Sequence, residues 1–180
     1  EGLRYPEHHG KGHGNHLYET HIASPSIWNH PALPPSRVSG LTMNIDVKPT
    51  LLGLLGAEGT EMADGVDFSD TLRGLDDWPG HTYAFSETFY ARSNKATVIS
   101  PTHQLVRRHR KKKTPPILET LHAVEDRLSE NDLMGTLPDV ETNVSERLDQ
   151  WLDEMSIRWE QAGAPLNTTL SPDLQEQLRA

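Results

Sequence analysis

The stretch PEHHGKGHGNHLYETH, Pro6 to His21, carries five histidines, at positions 8, 9, 13, 16 and 21, spaced largely by glycines. Neutral imidazole ligates divalent metals and gives or takes protons near neutral pH. A loop offering His8, His9, His13, His16 and Glu19 therefore has side chains for either task. His9 and His13 stand four apart, as two ligands on one helical face would, but Gly10, Gly12 and Gly14 argue against a helix there. A glycine-rich loop that lets backbone approach a ligand, followed by a short helix over NHLYETH, fits these residues better. By spacing alone His13 is open between a chemical role and an incidental surface one, whereas His16, His21 and His30 read as surface or structural residues.

Three zones must position this loop. In the first, residues 1–75, SPSIWNHP reads as a short extended segment closed by a proline turn, and PALPPSRVSG as a loop. NIDVKPTLLGLLG follows as a short buried helix, with Asp46 as N-cap, Pro49 in the first turn, a block of leucines at 51, 52, 54 and 55, and Gly56 as C-cap. The second zone, residues 76–140, contains HTYAFSETFYA, KATVISP and HQLVRRH, each rich in aromatic or β-branched residues. Pro101 and Thr102 make a tight connection between the last two runs, and an antiparallel hairpin or three-stranded sheet is expected. The third zone, residues 141–180, holds Val144, Leu148, Trp151, Leu152, Met155 and Trp159 at helical spacing, with Asn143 and Glu146 placed for a capping box. A last segment, SPDLQEQLRA, has Ser171 as N-cap and Pro172 at the first helical position.

The 180 residues suffice for one ordinary domain, yet only 34% are hydrophobic and 6% aromatic, with 13 each of Gly and Pro. This polarity suggests a loop-rich chain, or part of a larger body whose core lies elsewhere. A net charge of -9 with neutral histidines argues against a general affinity for nucleic acid. The absence of cysteine excludes disulfides, zinc-thiolate sites and cysteine nucleophiles within the chain. No apolar run approaches the roughly 18–20 residues of a membrane helix. The chain does not begin with Met, which suggests a fragment.

One ordered set of segments carries more than the bulk numbers. EHHGKGHGNHLYE is followed by a short extended segment and a P-rich loop, then VSGLTMNIDVKPTLLGLLG, DGVDFSDTLRG, AFSE and KATVISPTHQLVRR. Over residues 1 to about 110 this succession resembles the C-terminal half of the sulfatase family, in the alkaline phosphatase superfamily. The ending LSPDLQEQLRA is similar to the family's usual one. The resemblance implies an α/β fold: the C-terminal portion of an alkaline-phosphatase-like sandwich, with a small antiparallel sheet and terminal helices. The chain would begin just after the Asp-His-Gly metal motif.

The implied activity is hydrolysis of sulfate esters by a full-length enzyme. His13, in HGNHLYE, matches the His or Lys that contacts the sulfate or phosphate group and assists the leaving oxygen, as developing alkoxide charge requires. His9 matches the histidine of the EHG turn, where it shapes the loop or touches substrate, and His8 is the neighbour created by doubling. No residue of this chain is assigned as a metal ligand, and Asp46, Asp64 and Gly65 fall in segments read as structural. The resemblance places a divalent cation, Ca or Mg, and a formylglycine nucleophile in the missing N-terminal part. It also implies a sulfate-ester small molecule or glycan as substrate and a periplasmic or extracellular location. Two departures stand out: Ser24 occupies the place of a common arginine, and so does Ile99. The alternatives are a phosphodiester or phosphonate ester hydrolase, or a phosphoryl-group transferase, of the same superfamily. A catalytically silent binding module is the third.

Other features have plainer readings. RRHRKKK, Arg107–Lys113, could bind an acidic glycan but reads as a solvated turn. The stripe over 144–159 reads as core rather than a partner-binding helix. Asn143 and Asn167 begin Asn-x-Ser/Thr triplets that carry no weight without a secretory context, and Glu87 and Glu119 show no spacing suited to an acid and base pair.

Overall fold

The computed structural model describes residue 14 and residues 16–57, 64–89, 94–109 and 118–162. Its elements run α1 (Glu19–Ile22), a 3₁₀ turn (Asn44–Asp46), α2 (Val47–Leu55), α3 (Ser69–Leu72), β1 (Ala84–Thr88), β2 (Asn94–Ile99), β3 (His103–His109), β4 (Leu118–Ala123) and α4 (Pro138–Gln161). The chain divides into two units, Glu1–Leu148 and Asp149–Ala180, at a point inside α4. Among the described residues no helix is long and apolar enough to cross a membrane.

Side chains alternate across a strand, and directly paired residues share a face, so the register sorts the sheet into two surfaces. The four strands lie in the order β1-β2-β3-β4, each antiparallel to its neighbour. Phe85, Val98, Leu105 and Leu121 are in register on one face, and the last three are fully buried. On that face Arg107, 4% exposed, donates to Glu119 Oε1 at 2.6 Å and to Ser145 Oγ at 2.7 Å. The second bond ties the sheet to the turn of α4 whose Val144 and Leu148 are buried. Tyr83 adds a hydroxyl bond to Asn143 Oδ1 and a ring face to the Arg147 guanidinium, a favourable cation–π geometry.

The free edge of β4 is covered rather than left open, which removes a template for strand pairing. Leu121 N–H donates to Asp132 Oδ1, and Leu121 C=O accepts from Leu133 N–H. The turn between them is organised by Asp126, whose carboxyl accepts from the Asn131 backbone N–H at 2.8 Å and from its side-chain amide. The Asn131 backbone bond is the main reason the Asp126 carboxyl sits below its ordinary value of 3.8.

Ahead of the sheet, one buried carboxyl gathers the irregular segments. Asp46 is 0% exposed; it accepts from Met43 N–H at 2.7 Å and Val66 N–H at 2.9 Å, and its Oδ2 lies 2.9 Å from His81 Nε2. One turn later the buried Thr50 hydroxyl accepts from Phe68 N–H. Close approach follows: a side chain at Gly65 would run into the Ile45 carbonyl. Arg73, at the end of α3, donates to the Gly53 and Leu54 carbonyls and caps the C-terminus of α2. Gly56 closes that helix in the left-handed region, as the sequence suggests.

Four expectations need correction. The helix at 47–55 is not buried through its leucines: Pro49 and Thr50 face inward, while Val47, Leu51 and Leu55 lie at least 43% exposed. The bonds of Asp46 and Thr50 to residues 66–68 decide which side turns in. The sheet has a fourth strand, LETLHA, which helix-forming residues disguise. Helix α4 starts at Pro138, not at Asn143, because Pro138 opens the first turn and Glu141 accepts from the Gly135 and Leu137 N–H groups. Finally, Arg107 is a buried ion-pair residue rather than part of a solvated turn; residues 110–113 lie outside the described ones, as does the segment 171–180.

Two measurements check this framework. Asp46→Ala removes the shared acceptor of two backbone donors and the partner of His81, so denaturant unfolding should show a loss of about 2–5 kcal/mol, whereas His81→Ala should lose roughly 1 kcal/mol. The depressed Asp126 carboxyl stabilises the fold above its unfolded value and ceases to do so as pH falls through its folded value. Stability should therefore be flat in this respect down to about pH 4 and drop below it, and Asp126→Asn should flatten that acid limb in urea titrations run from neutral to acidic pH.

Candidate functional site: the segment after His13 on the polar sheet face

The second sheet face is unlike the first. Ala84, Ile99, Gln104 and His122 are in register on it, as are Ser86, Thr97, Val106 and Thr120 one row along, and Thr88, Lys95 and Arg108 in the next. Several of these are buried polar groups: Thr97 is 0% exposed, His122 3% and Gln104 5%. A buried polar group must be hydrogen-bonded or it destabilises the fold. Thr97 bonds the Leu105 carbonyl and His122 the Asn131 carbonyl, while Gln104 and, one row further, Thr88 find theirs in residues 14–19.

The segment crosses the sheet in sequence order. Gly14 C=O accepts from the Thr88 hydroxyl of β1 at 2.9 Å. Leu17, itself buried, offers its carbonyl to the Gln104 side-chain amide of β3 at 2.6 Å. Tyr18 meets the His122 ring of β4 edge-on, centroids 5.5 Å apart. Glu19 Oε1 accepts from Arg127 Nε at 2.8 Å and Nη2 at 2.7 Å, just beyond β4. That carboxylate raises the Arg127 pKa above its ordinary value, chiefly through the hydrogen bond. α1 then begins at Glu19 and lasts one turn.

The histidines that follow Gly14 take packing positions. His16 stacks on Tyr18 at 5.9 Å and lies 5.6 Å from His21, while His21 Nδ1 sits 3.4 Å from the Thr20 hydroxyl. His30 Nδ1 accepts from the Ala32 N–H in a turn. His9 and His13 lie outside the described residues, with His13 bonded to Gly14, the first anchored position. The row of the sheet beside that anchor carries two cations, Lys95 and Arg108, in register; burial, and then Arg108, lower the Lys95 pKa.

A cavity of 560 Å³ opens beside the same face, between the strands and the 39–47 stretch. Its wall includes Ser24, Leu41, Phe68, Ile99 and Gln104, and the charged groups among its lining residues are Glu19 and Asp126. Ser24 and Ile99, where the resemblance expects arginines, both line it. With two carboxyls and no cation among the described lining residues, it is unsuited to a sulfate or phosphate anion. Among the described residues no group of three or more His, Cys, Asp or Glu could hold a metal ion, so a divalent cation finds no set of ligands there. Asp46 and Gly65 serve packing and hydrogen bonding, as described above.

The residues that sequence reasoning missed are Thr88, Thr97 and Gln104. Their signal was available as polar residues at alternate strand positions on the side opposite Val98 and Leu105.

No protein-family model and no curated protein matches the sequence. Solved structures are similar. A Bacteroides thetaiotaomicron protein assigned to the sulfatases is 19% identical, with a TM-score of 0.58 over 73% of this chain and 30% of that one. A 2-O GAG sulfatase is 23% identical, with a TM-score of 0.47 over 63% of this chain and 24% of its own. The phosphonate monoester hydrolase from Silicibacter pomeroyi is 19% identical, with a TM-score of 0.47 over 79% and 29%. The first of these establishes a likeness of fold, and the chain spans only 30% of that structure's length.

Proposed function

We infer that this chain is the C-terminal part of a sulfatase-type ester hydrolase, beginning after the metal motif, and that it brings His13 to the substrate. The observation that carries the reading is the HGNHLYE stretch itself: the residues that follow its first histidine are laid strand by strand across a buried polar sheet face. The fold likeness to part of a sulfatase-like chain supports it. So does the stripe Val47, Leu51 and Leu55, recurring every four residues on α2 and open to solvent, since an apolar helical stripe of this kind calls for cover. Lys95 and Arg108, in the row beside the Gly14 anchor, suit an approaching anion.

The substrate class is a sulfate ester, small molecule or glycan. Hydrolysis breaks a sulfur–oxygen bond and leaves negative charge on the departing oxygen. The His13 imidazolium would hydrogen-bond that oxygen and pass it a proton, the proton a free alkoxide would otherwise take from water. His9 would shape the preceding turn or touch the sulfate. A Ca or Mg ion and a formylglycine belong outside this chain in this reading, and the ion when bound would polarise the sulfuryl oxygens. A periplasmic or extracellular location goes with it.

The test is hydrolysis of aryl sulfates, aryl phosphodiesters and aryl phosphonate monoesters by an enzyme that contains this chain. Sulfate esters should turn over fastest. His13→Ala should lower kcat on the sulfate by about 10²–10⁴-fold with a poor leaving group, and by much less with an acidic phenol that leaves without a proton. Preference for a phosphonate or phosphodiester would move the assignment to those hydrolases. No hydrolysis of any ester, with no effect of His13→Ala, would leave a binding module.

A further inference from the structure

We propose that the 560 Å³ cavity beside the polar sheet face binds a protonated amine carried on a short apolar body. This role is independent of the ester hydrolysis inferred above.

The floor of the cavity is a row of the sheet. Ala84 of β1, Ile99 of β2 and Gln104 of β3 are in register on it, and at roughly 4.8 Å between neighbouring strands the row runs about 10 Å. Its first two residues are apolar, and Leu41 and Phe68 add apolar wall. The third ends in an amide, whose nitrogen has two N–H groups. One goes to Leu17 C=O at 2.6 Å, the other to Thr97 Oγ1 at 3.1 Å. Thr97 gives its own hydroxyl proton to Leu105 C=O at 2.7 Å, so towards Gln104 it can only accept, and the amide can point only one way. Neither Leu17 nor Thr97 lines the cavity, whereas Gln104 does. The Gln104 carbonyl oxygen, to which no described residue donates, is therefore the end turned to it. On a residue only 5% exposed, an acceptor of this kind gains most from a donor that a ligand brings.

Charge decides what kind of donor that is. The described lining residues include two carboxyls, Glu19 and Asp126, and no Lys, Arg or His. Glu19 is balanced by Arg127. Asp126 hydrogen-bonds to the neutral Asn131 amides, which hold its carboxyl below the ordinary range and keep it charged at neutral pH. It stands three residues past the end of β4, beyond Gln104 in the order of the strands. Polarity thus rises along the floor: apolar over β1 and β2, an acceptor on β3, a negative charge past β4. A neutral alcohol would suit the first two of these and an anion would be repelled by the third. An ammonium group, all donors and one positive charge, suits all of them.

The experiment is an NMR titration of the 180-residue chain, labelled with ¹³C and ¹⁵N, using three probes of similar shape: phenethylammonium, phenethyl alcohol and hydrocinnamate. Phenethylammonium should move the Ile99 methyl signals and the Gln104 side-chain carbonyl signal saturably. It should bind about 2- to 5-fold more tightly than the alcohol, the range of one exposed ion pair, and hydrocinnamate should not bind. Asp126→Asn should bring the ammonium down to the alcohol's affinity while leaving the alcohol unchanged, a pattern that a loosened fold would not give. Ile99→Trp, which fills the floor, should abolish binding of both. Equal affinity for the three probes, or a preference for the ammonium that survives Asp126→Asn, would overturn the proposal. So would shifts that do not saturate, that leave the Gln104 carbonyl unmoved, or that fall on Leu51 and Leu55 of the α2 stripe instead.

Discussion

A buried amide has to be satisfied, and the Gln104 side chain is where this fold meets that demand most sharply. It sits 5% exposed in a strand flanked on both sides by other strands, so water cannot serve its N–H groups and the ladder bonds are already used by the backbone. The 14–19 segment supplies what is missing. The dependence runs both ways, because an irregular segment lying on a sheet carries main-chain carbonyls with no ladder to accept them. The polar face and the irregular segment are each unstable without the other, and together they form one hydrogen-bonded layer. The opposite face needs no such partner: Val98, Leu105 and Leu121 are covered in the ordinary way, with the Arg107–Ser145 bond fixing α4 beside them. The sheet is thus a plate with one face given to stability and the other to holding a loop.

The residues before the sheet obey a different rule. Asp46 draws the 43, 66 and 81 positions together through three polar contacts, and Thr50 adds position 68. This sets a polar cluster beside the buried Phe68 and Leu72, and it has a geometric consequence. Fixing the Asp46 and Thr50 side of α2 inward turns Val47, Leu51 and Leu55 outward. An apolar stripe is left where a self-contained domain would have put charge. The composition shows the same imbalance, with few aromatics for a chain of this length. The likeness of fold covers 73% of this chain and 30% of the solved structure.

Much of this was legible in the residues, and the exceptions have physical causes. Three strands and their order follow from β-branched runs bounded by turn residues, and the Gly56 cap from its place after the leucines. LETLHA escaped because leucine, glutamate and alanine favour helix, and pairing with β3 overrides that preference. Asn143 imitates an N-cap, but the real start at Pro138 depends on Glu141 reaching back to Leu137 and Gly135, a contact that spacing does not advertise. The leucine block was rightly seen as helical and wrongly seen as buried, since periodicity identifies a stripe but not what covers it. For the polar sheet face, Thr88, Thr97 and Gln104 stand out in the sequence only as polar residues at alternate strand positions, which does not say what they hold. Their meaning depends on which backbone carbonyls lie against them, and those lie 74 and 87 residues away along the chain for Thr88 and Gln104.

That long separation is itself an argument about how such a site can be built. A segment without a ladder of its own takes its order from the groups it lies against, because each backbone rotation has to be fixed by some contact. Gly14 and Leu17 are held by side chains of β1 and β3, and the register of those strands is shared with the apolar face that carries Val98, Leu105 and Leu121. A substitution in the sheet's apolar face would then reach Leu17 through the Thr97–Gln104 pair, whereas one in the exposed stripe of α2 has no such route among the described bonds.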